Sequence, residues 1–283
     1  MAMTINTNVN SLNAQRNAIA TQNSLATSMQ RLSSGLRVNS AKDDAAGLAI
    51  AERMNTQVRG MNVAIRNAND GISLAQTAEG GLSVMSDMMQ RMRELAVQAI
   101  NSTNTSGDIA ALNQEFTQLR DEVNRTMSAV QFNGTNLFTT TANFDFQVGA
   151  NSGQTITIAG ADLNVNSAGG GMSGVTQTAG AASGLVTANS ANAVVIASLD
   201  TALATLNSTR ATLGAVQSRF ENTINYLRTA VENQSAARGR IMDADFAAET
   251  ANLSRAQILQ QAGTAMIAQA NQLPQGVLRL LQG

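Results

Sequence analysis

The sequence predicts a mainly α-helical protein, in which long antiparallel helices form a coiled-coil-like bundle with a small β-hairpin region. Apolar residues recur at gaps of three and four over long stretches, which is the spacing of a coiled-coil seam. Aromatic residues make up only 3% of the 283 residues. The core must therefore be built from Ala, Leu, Ile, Val and Met, a composition that suits close packing between helices.

The longest helical pattern extends from about residue 44 to residue 100. Its apolar positions are Ala51, Met54, Val58, Met61, Ile65, Ala68, Ile72, Ala75, Leu82, Met85, Met89, Met92, Ala96 and Ala99. At 1.5 Å per residue such a helix would be about 85 Å long. Gly71 and the pair Gly80 and Gly81 are expected weak points, because each glycine costs roughly 1 kcal/mol relative to alanine. A bend is expected near Gly80.

A second helix is predicted over residues 108–130, after a polar loop. Ser106 or Asp108 is expected to cap its first turn. The apolar pattern stops at Asn133 and Gly134, a dipeptide typical of turns.

The spacing of apolar residues then changes from helical to alternating. Phe144, Phe146 and Val148 alternate with polar residues, and so do Ile156 and Ile158 beyond a Gly-containing loop. This predicts a β-hairpin within about residues 132–159. Residues 160–188 are rich in Gly, Ala, Ser and Thr without sustained periodicity, which predicts a loop.

A third long helix is predicted over residues 189–238. Every seventh residue from Leu199 to Leu227 is Leu or Phe. Arg210 and Gln217 interrupt the neighbouring row. Polar residues at such positions cost stability and can fix the register of a helix pair.

The two ends of the chain carry helical apolar patterns with almost no charge. Arg16 is the only charged residue in 1–30, and Arg279 is the only one in 256–283. The residues predicted to serve self-assembly are Ile5, Val9, Leu12 and Ile19 at the start, and Leu259, Met266, Leu273, Val277 and Leu280 at the end. Pro274 is expected to kink or end the last helix.

The predicted organisation is a terminal helical domain of residues 1–42 and 245–283, and a middle domain of residues 43–188 and 189–244. Isolated helices are marginal in water, and a face without charged residues is typical of an interface core. We therefore expect the ends to be disordered in the free chain and to become helical when copies stack. The alternative is that the two ends pair only with each other within one chain.

Composition argues against several classes of function. The chain contains no His and no Cys, which removes the commonest metal ligands and bases, so neither an enzyme nor a metal or cofactor site is expected. Charged residues are 13% with a net charge of −1, which does not favour nucleic acid. We expect no membrane insertion and no cleaved signal peptide, because no long apolar segment is present. An interfacial membrane helix is disfavoured too, because the polar faces lack Lys and Arg.

The carboxylate pairs could suggest an acid–base enzyme as the remote alternative. Asp43 and Asp44 form one pair, and Asp243 and Asp245 form the other. Both pairs lie near joins between predicted helices. Capping or salt bridging is therefore the expected role of these carboxylates.

Several motifs at both ends resemble the bacterial flagellins, and they occur in the order found in that family. They are Ile5-Asn-Thr-Asn-Val-Asn-Ser-Leu12, Arg31-Leu-Ser-Ser-Gly-Leu-Arg37, Asp43-Asp-Ala-Ala-Gly-Leu48, Gln90-Arg-Met-Arg-Glu-Leu-Ala-Val-Gln98, Gln131-Phe-Asn-Gly134, Ile241-Met-Asp-Ala-Asp-Phe246 and Gln261-Ala-Gly-Thr-Ala-Met266.

The resemblance implies a structural subunit that polymerises into the flagellar filament, with terminal helices forming a coiled-coil filament core. It implies a minimal form without large outer domains, secreted unfolded through the flagellar type III apparatus to the extracellular flagellum. Its implied partners are an export chaperone on about residues 245–283, and the filament cap and junction proteins. The alternative is a hook–filament junction protein, which shares the terminal organisation.

The resemblance also implies recognition by Toll-like receptor 5. It places the receptor contact on Arg91, Leu95 and Glu115. The alternative is that Arg91 and Glu115 are ordinary solvated helix charges.

Overall fold

The computed structural model describes residues 7–165, 184–185 and 189–281, with only the backbone described for residues 189–191 and 273–281. Within this part the chain is mainly helical, as predicted. The helices are α1 Val9–Ser34, α2 Ala45–Ala99, α3 Ser106–Ala129, α4 Gly160–Leu163, α5 Asn189–Met242 and α6 Phe246–Leu281. The strands are β1 Gln131–Phe132, β2 Thr135–Asn136, β3 Phe144–Gln147 and β4 Thr155–Ile158.

The chain divides into two compact units. Unit 1 combines Met1–Thr56 with Asn233–Gly283, and unit 2 is Gln57–Glu232. Both limits fall inside the long helices α2 and α5, whereas the sequence placed the limits at the joins between helices.

The core of unit 2 lies along a seam between α2 and α5. One row of buried residues in α2 follows gaps of three and four, and it consists of Met61, Ala64, Ala68, Gly71, Ala75, Ala78, Leu82, Met85, Met89, Met92, Ala96 and Ala99. Further residues of α2 are buried beside this row, namely Leu74, Gly81, Ser86 and Leu95. The row Leu199, Leu206, Leu213, Phe220 and Leu227 of α5 is buried as well. The predicted helix periodicity is therefore confirmed in both helices.

Polar pairs across this seam show that α2 and α5 run antiparallel. Arg93 Nε donates to Asp200 Oδ1 at 2.6 Å. Earlier in α2, Glu79 accepts a hydrogen bond from Gln217 Nε2 at 3.1 Å and lies 3.9 Å from Arg210 Nη2. Arg210 and Gln217 thus interrupt the apolar row because both face Glu79, which ties the two helices to one register.

Gly71 is a site of close packing in unit 2, although the sequence marked it as a weak point. A Cβ atom there would lie 2.5 Å from Cζ of Phe220. The Phe220 ring is fully buried and meets Phe146 of β3 edge to face, with ring centroids 5.6 Å apart. Gly81 similarly faces Phe138 and Val130. Helix α2 continues through Gly80 without interruption.

Two hairpins follow α3. Asn133 and Gly134 connect β1 to β2 with positive φ angles of 48° and 78°, so the predicted turn is confirmed. Strands β3 and β4 pair antiparallel from Phe144 with Ile158 to Gln147 with Thr155, as expected from the alternation.

The predicted loop over residues 160–188 lies largely outside the described residues. Its described start is not a plain loop, since Gly160–Leu163 forms the short helix α4. Leu163, Val165 and Leu185 are buried in the core of unit 2. The prediction is wrong here because these few apolar side chains, too sparse to form a period, find a place in the core.

Helix α3 begins with a capping box formed by Thr105 and Asp108, whereas the sequence predicted a cap at Ser106 or Asp108. Thr105 Oγ1 accepts from the Asp108 backbone N–H at 3.3 Å, and Asp108 Oδ2 accepts from the Thr105 backbone N–H at 2.9 Å. The cap is therefore Thr105 and not Ser106. Hydrogen bonds from the Thr105 side chain and backbone lower the pKa of Asp108.

In unit 1, the joins around α1 and α6 use the carboxylates that sequence analysis assigned to capping. Asp44 Oδ1 accepts from the Gly47 N–H at 2.8 Å, and Asp245 Oδ1 accepts from the Ala247 N–H at 2.9 Å. Hydrogen bonds from the Ser40 side chain, and then from backbone N–H groups, lower the pKa of Asp43.

A small core surrounds these joins. It consists of Val38, Ala51 and Met242. At the far end of unit 1, α6 continues beyond Pro274 to Leu281. The expectation that Pro274 ends the helix is therefore wrong.

Candidate self-assembly surface

Helices α1 and α6 pair antiparallel in unit 1. At one end, Asn8 Nδ2 donates to the Ala270 carbonyl and Ser11 Oγ donates to Asn271 Oδ1, both at 2.8 Å. At the other end, Arg31 Nη1 lies 3.8 Å from Glu249 Oε2. The two chain ends therefore contact each other within one chain. That they pair only with each other, the alternative considered for them, does not follow from this contact. Disorder of the ends in the free chain stays a prediction.

The seam of this pair follows coiled-coil spacing and is filled mainly by small or polar residues. The residues of α1 that are not exposed are Ser11, Ala14, Ala18, Thr21, Leu25, Ser28, Arg31 and Leu32. Their counterparts in the described part of α6 are Glu249, Leu253, Ala256, Gln260, Gly263, Ile267 and Ala270. The buried residues of α1 are both serines, Ser11 and Ser28. A seam of mainly small and polar residues removes less apolar area from water than one of large apolar residues, so this pair gains less from burial.

Most of the larger apolar residues of the two helices lie outside the seam, although Leu25, Leu32, Leu253 and Ile267 lie within it. Leu12 and Ile19 are 53% and 58% exposed, and Leu259 and Met266 are 51% and 63% exposed. We call the exposed large apolar residues of the two helices the assembly surface: Val9, Leu12, Ile19, Met29, Phe246, Ile258, Leu259 and Met266.

The assembly surface contains five of the nine residues that the sequence predicted. Ile5 lies outside the described residues, and the side chains of Leu273, Val277 and Leu280 are not described. The prediction missed Met29, Phe246 and Ile258 as site residues. Phe246 and Ile258 depart from the seven-residue spacing of Leu259 and Met266, so periodicity alone could not have found them.

Two shallow grooves lie between α1 and α6. One is about 500 Å³ and is lined by Ala14, Ala18, Ala262 and Met266 among others, and the second is about 700 Å³. Thr21 and Leu259 line both, so the grooves meet end to end. Grooves between paired helices accept the side-chain ridges of a further helix.

Charge is sparse in these grooves and lies at one end. Arg31, Glu249 and Arg255 line the larger groove, whereas the smaller groove is lined by uncharged residues. The assembly surface can therefore be buried without removing a charged side chain from water along most of its length.

The receptor-contact prediction lies in unit 2. Arg91 Nε donates to Glu115 Oε1 at 2.8 Å and Arg91 Nη1 to Glu94 Oε2 at 3.0 Å, and these bonds raise the pKa of Arg91. Arg91 and Glu115 are exposed, as a contact requires. Leu95 is 1% exposed and belongs to the core. Its prediction as a surface contact is therefore wrong, because its side chain packs inward from α2.

Two features of the described residues concern metal binding and the membrane. No group of three or more acidic side chains in this part of the chain is placed to hold a metal ion. Among the helices described, none is long and apolar enough to cross a membrane.

Paired terminal helices with a weak seam and exposed apolar rows define the class of the protein: a helical structural subunit that assembles with copies of itself. Comparison with known families identifies it further. The family profile for the bacterial flagellin N-terminal helical region matches residues 5–143, and that for the C-terminal helical region matches residues 196–281.

Individual relatives cover the whole chain. A flagellin of Halalkalibacterium halodurans is 46% identical over 99% of this chain and 100% of its own length. Flagellin D of Vibrio anguillarum is 35% identical over 99% of this chain and 100% of its own. The crystal structure of Bacillus cereus flagellin is 30% identical, with a TM-score of 0.50, over 61% of this chain and 94% of that one.

The chain belongs to the bacterial flagellin family. It is a structural subunit of the flagellar filament, the extracellular polymer used for swimming, as the resemblance implied. The hook–filament junction alternative is not favoured by these relatives.

Proposed function

We propose that the assembly surface is the part of the chain through which copies polymerise, with the terminal helices forming the core of the filament. The observation that supports this most directly is the burial pattern of α1 and α6. Ser11 and Ser28 of α1 are buried, whereas Leu12 and Ile19 of α1 and Leu259 and Met266 of α6 are exposed. Solvent-exposed apolar rows are costly in a single chain, and helices of neighbouring copies would cover them. The sequence prediction that Ile5, Leu273, Val277 and Leu280 serve assembly as well is part of the same proposal.

The test is polymerisation of truncated variants. Leu259→Ala and Met266→Ala each remove a side chain worth roughly 1.5–3 kcal/mol when buried. We expect the critical concentration for polymerisation, measured by sedimentation of seeded monomer, to rise by about tenfold or more. Gln261→Ala is the matched control, since it shortens an exposed polar residue of the same helix. Equal polymerisation of all three variants and the parent chain would exclude the assembly surface as the contact.

We propose further that the chain acts without enzymatic activity and is secreted through the flagellar type III apparatus. The family supports the route. The thin seam of α1 and α6 supports it as well, because a pair that gains little from burial is easily unfolded for passage. Expression in a strain lacking that apparatus tests the route: the chain should then stay inside the cell, and its appearance in the medium would contradict the route.

An export chaperone, the filament cap and the junction proteins are the proposed assembly partners. Ile258, Leu259 and Met266 are exposed apolar residues in the unassembled chain. We propose that the chaperone shields them from solvent by binding residues 245–283. A complex with the chain truncated after residue 244 would contradict that placement.

For Toll-like receptor 5, the proposed contact is reduced to Arg91 and Glu115, because Leu95 is buried. Arg91→Ala should abolish receptor activation by the monomer. Arg93→Ala is the matched control, because Arg93 is also exposed on α2 and ion-paired, in its case to Asp200. Undiminished signalling by the Arg91 variant would remove the assignment.

A further inference from the structure

The methionines of the chain differ sharply in their access to solvent. Of the ten in the described residues, Met61, Met85, Met89, Met92, Met127 and Met242 are buried, and Met54 and Met88 are half-buried. Met29 and Met266 are 57% and 63% exposed. Because the chain contains no cysteine, methionine thioethers are the sulfur atoms that an oxidant can reach.

Both exposed methionines belong to the assembly surface. Met266 lines the smaller groove beside Ala18 and Ala262. Met29 follows the buried Ser28 on α1. Neither side chain belongs to the buried cores formed by the described residues. We therefore expect a chemical change at either to leave the folded chain intact while altering the surface that other copies would cover.

We propose that Met29 and Met266 are oxidation sites, and that their conversion to sulfoxide by peroxide prevents the chain from polymerising. This inference rests on the proposed role of the assembly surface. The thioether sulfur attacks one peroxide oxygen, a sulfur–oxygen bond forms and the O–O bond breaks. The other oxygen leaves as water with both protons, so the sulfur is oxidised by two electrons and the peroxide is reduced.

The chemical change opposes burial. A sulfoxide is polar and chiral, whereas the thioether is apolar and flexible. Burying a polar oxygen in an apolar contact without a hydrogen-bond donor is unfavourable. Oxidised monomer should therefore be excluded from the polymer, while the same two sulfurs are covered and protected in subunits that have already assembled.

The first experiment locates the oxidation. Monomer and polymer are treated with hydrogen peroxide for increasing times, digested, and analysed by mass spectrometry of the methionine peptides. In monomer we expect Met29 and Met266 to be oxidised before Met85, Met89 and Met92. In polymer we expect the rates at Met29 and Met266 to fall by about tenfold or more. Equal rates in monomer and polymer, or faster oxidation of the buried methionines, would overturn the proposal.

The second experiment tests the consequence. The double variant Met29→Leu, Met266→Leu keeps apolar side chains of similar size that peroxide cannot oxidise. After peroxide treatment the parent chain should lose polymerisation in a sedimentation assay, and the double variant should retain it. The matched control is Met54→Leu, Met88→Leu, which should lose polymerisation like the parent. A double variant as sensitive as the parent would overturn the proposal.

Methionine sulfoxide reductase provides the reverse reaction. Treatment of the oxidised parent chain with this reductase should restore polymerisation. Mass spectrometry checks that both sulfoxides have been fully reduced. A fully reduced chain that still does not polymerise would overturn the proposal. The separate failure of the proposed function is recognisable, because Leu259→Ala would then polymerise normally without any oxidant.

Discussion

The α2–α5 seam of unit 2 and the α1–α6 seam of unit 1 share the same spacing of three and four residues. They differ in what fills it. The unit 2 seam contains fully buried Leu82, Met89 and Phe220, and Phe220 packs against the bare backbone of Gly71. The buried positions of the unit 1 seam are Ser11, Ser28, Glu249, Ala256 and Ala270, and most of the large apolar residues of its two helices are exposed.

This difference separates folding from assembly. Apolar burial contributes about 25 cal/mol per Å², so a seam of Phe, Leu and Met stabilises a single chain, whereas a seam of Ser, Ala and Gly does so weakly. In unit 1 most of the large apolar residues of α1 and α6, those of the assembly surface, are left for other copies to cover. Spacing sets the geometry of a helix pair, and the size of the side chains decides whether the pair is stable alone.

The largest expected effect is a difference in monomer stability between two truncations, one in each unit. Phe220→Ala removes a fully buried ring and should lower the free energy of unfolding by about 3–5 kcal/mol. Leu259→Ala removes a side chain that is 51% exposed and should change monomer stability by about 0.5 kcal/mol or less. Urea unfolding of monomer, followed by circular dichroism, measures both.

Leu259→Ala, which has the smaller effect on monomer stability, should have the larger effect on the polymerisation of folded monomer. Folded Leu259→Ala monomer should assemble poorly despite its normal stability. If both variants lowered monomer stability by similar amounts, the distinction between a folding seam and an assembly surface would be lost.

A second pair of variants compares seam glycines in the two units. Gly71→Ala places Cβ 2.5 Å from Cζ of Phe220, whose ring cannot withdraw because it is buried against Phe146. We expect a loss of about 1–3 kcal/mol from overpacking. Gly263→Ala places Cβ 3.7 Å from Cβ of Ala18, an ordinary contact. Its higher helix propensity should stabilise unit 1 by about 0.5–1 kcal/mol.

Gly80→Ala controls for helix propensity inside unit 2, because Gly80 has nothing within 4 Å of its would-be Cβ. It should stabilise the chain as Gly263→Ala does, in thermal unfolding of the monomer. Stabilisation by Gly71→Ala would show that the α2–α5 seam is looser than the structure indicates.

The long helices could be predicted from the sequence because their apolar residues are large and evenly spaced. The predicted range 44–100 became Ala45–Ala99, and the predicted start at residue 189 is also that of α5. The exposed rows on α1 and α6 were predicted for the same reason. Periodicity finds rows of apolar residues whether a neighbour within the chain or another copy covers them.

What the sequence did not reveal depends on contacts between distant residues. Gly71 was expected to weaken α2, because the ring of Phe220 that fills its space lies far along the chain. Leu95 was expected at the surface because the predicted apolar row of α2 did not include it. It is buried beside that row. The burial of Ser11 and Ser28 in α1 could not be predicted from apolar periodicity, because serine is polar.

A smaller effect than that of Phe220→Ala is expected from the capping of helices. Thr105→Ala removes the N-cap of α3 in unit 2 and should cost about 1 kcal/mol at neutral pH. Thr103→Ala, in the preceding exposed loop, is the control. In unit 1, Ser40→Ala removes the side-chain hydrogen bond to Asp43 in the same manner.

Acid should diminish the effects of both substitutions. Hydrogen bonds lower the pKa of Asp108 and of Asp43 in the folded chain. Their stabilisation is fully present above the ordinary pKa of an aspartate, about 3.9, and is lost as pH falls through the lower pKa of the folded state. The stability difference between each variant and the parent should therefore shrink in urea titrations at about pH 2. A difference for Thr105→Ala that is independent of pH would mean that the charge of Asp108 does not contribute to the cap. If the difference shrank for only one variant, the hydrogen bonds of Thr105 with Asp108 and of Ser40 with Asp43 would differ in their contribution to stability.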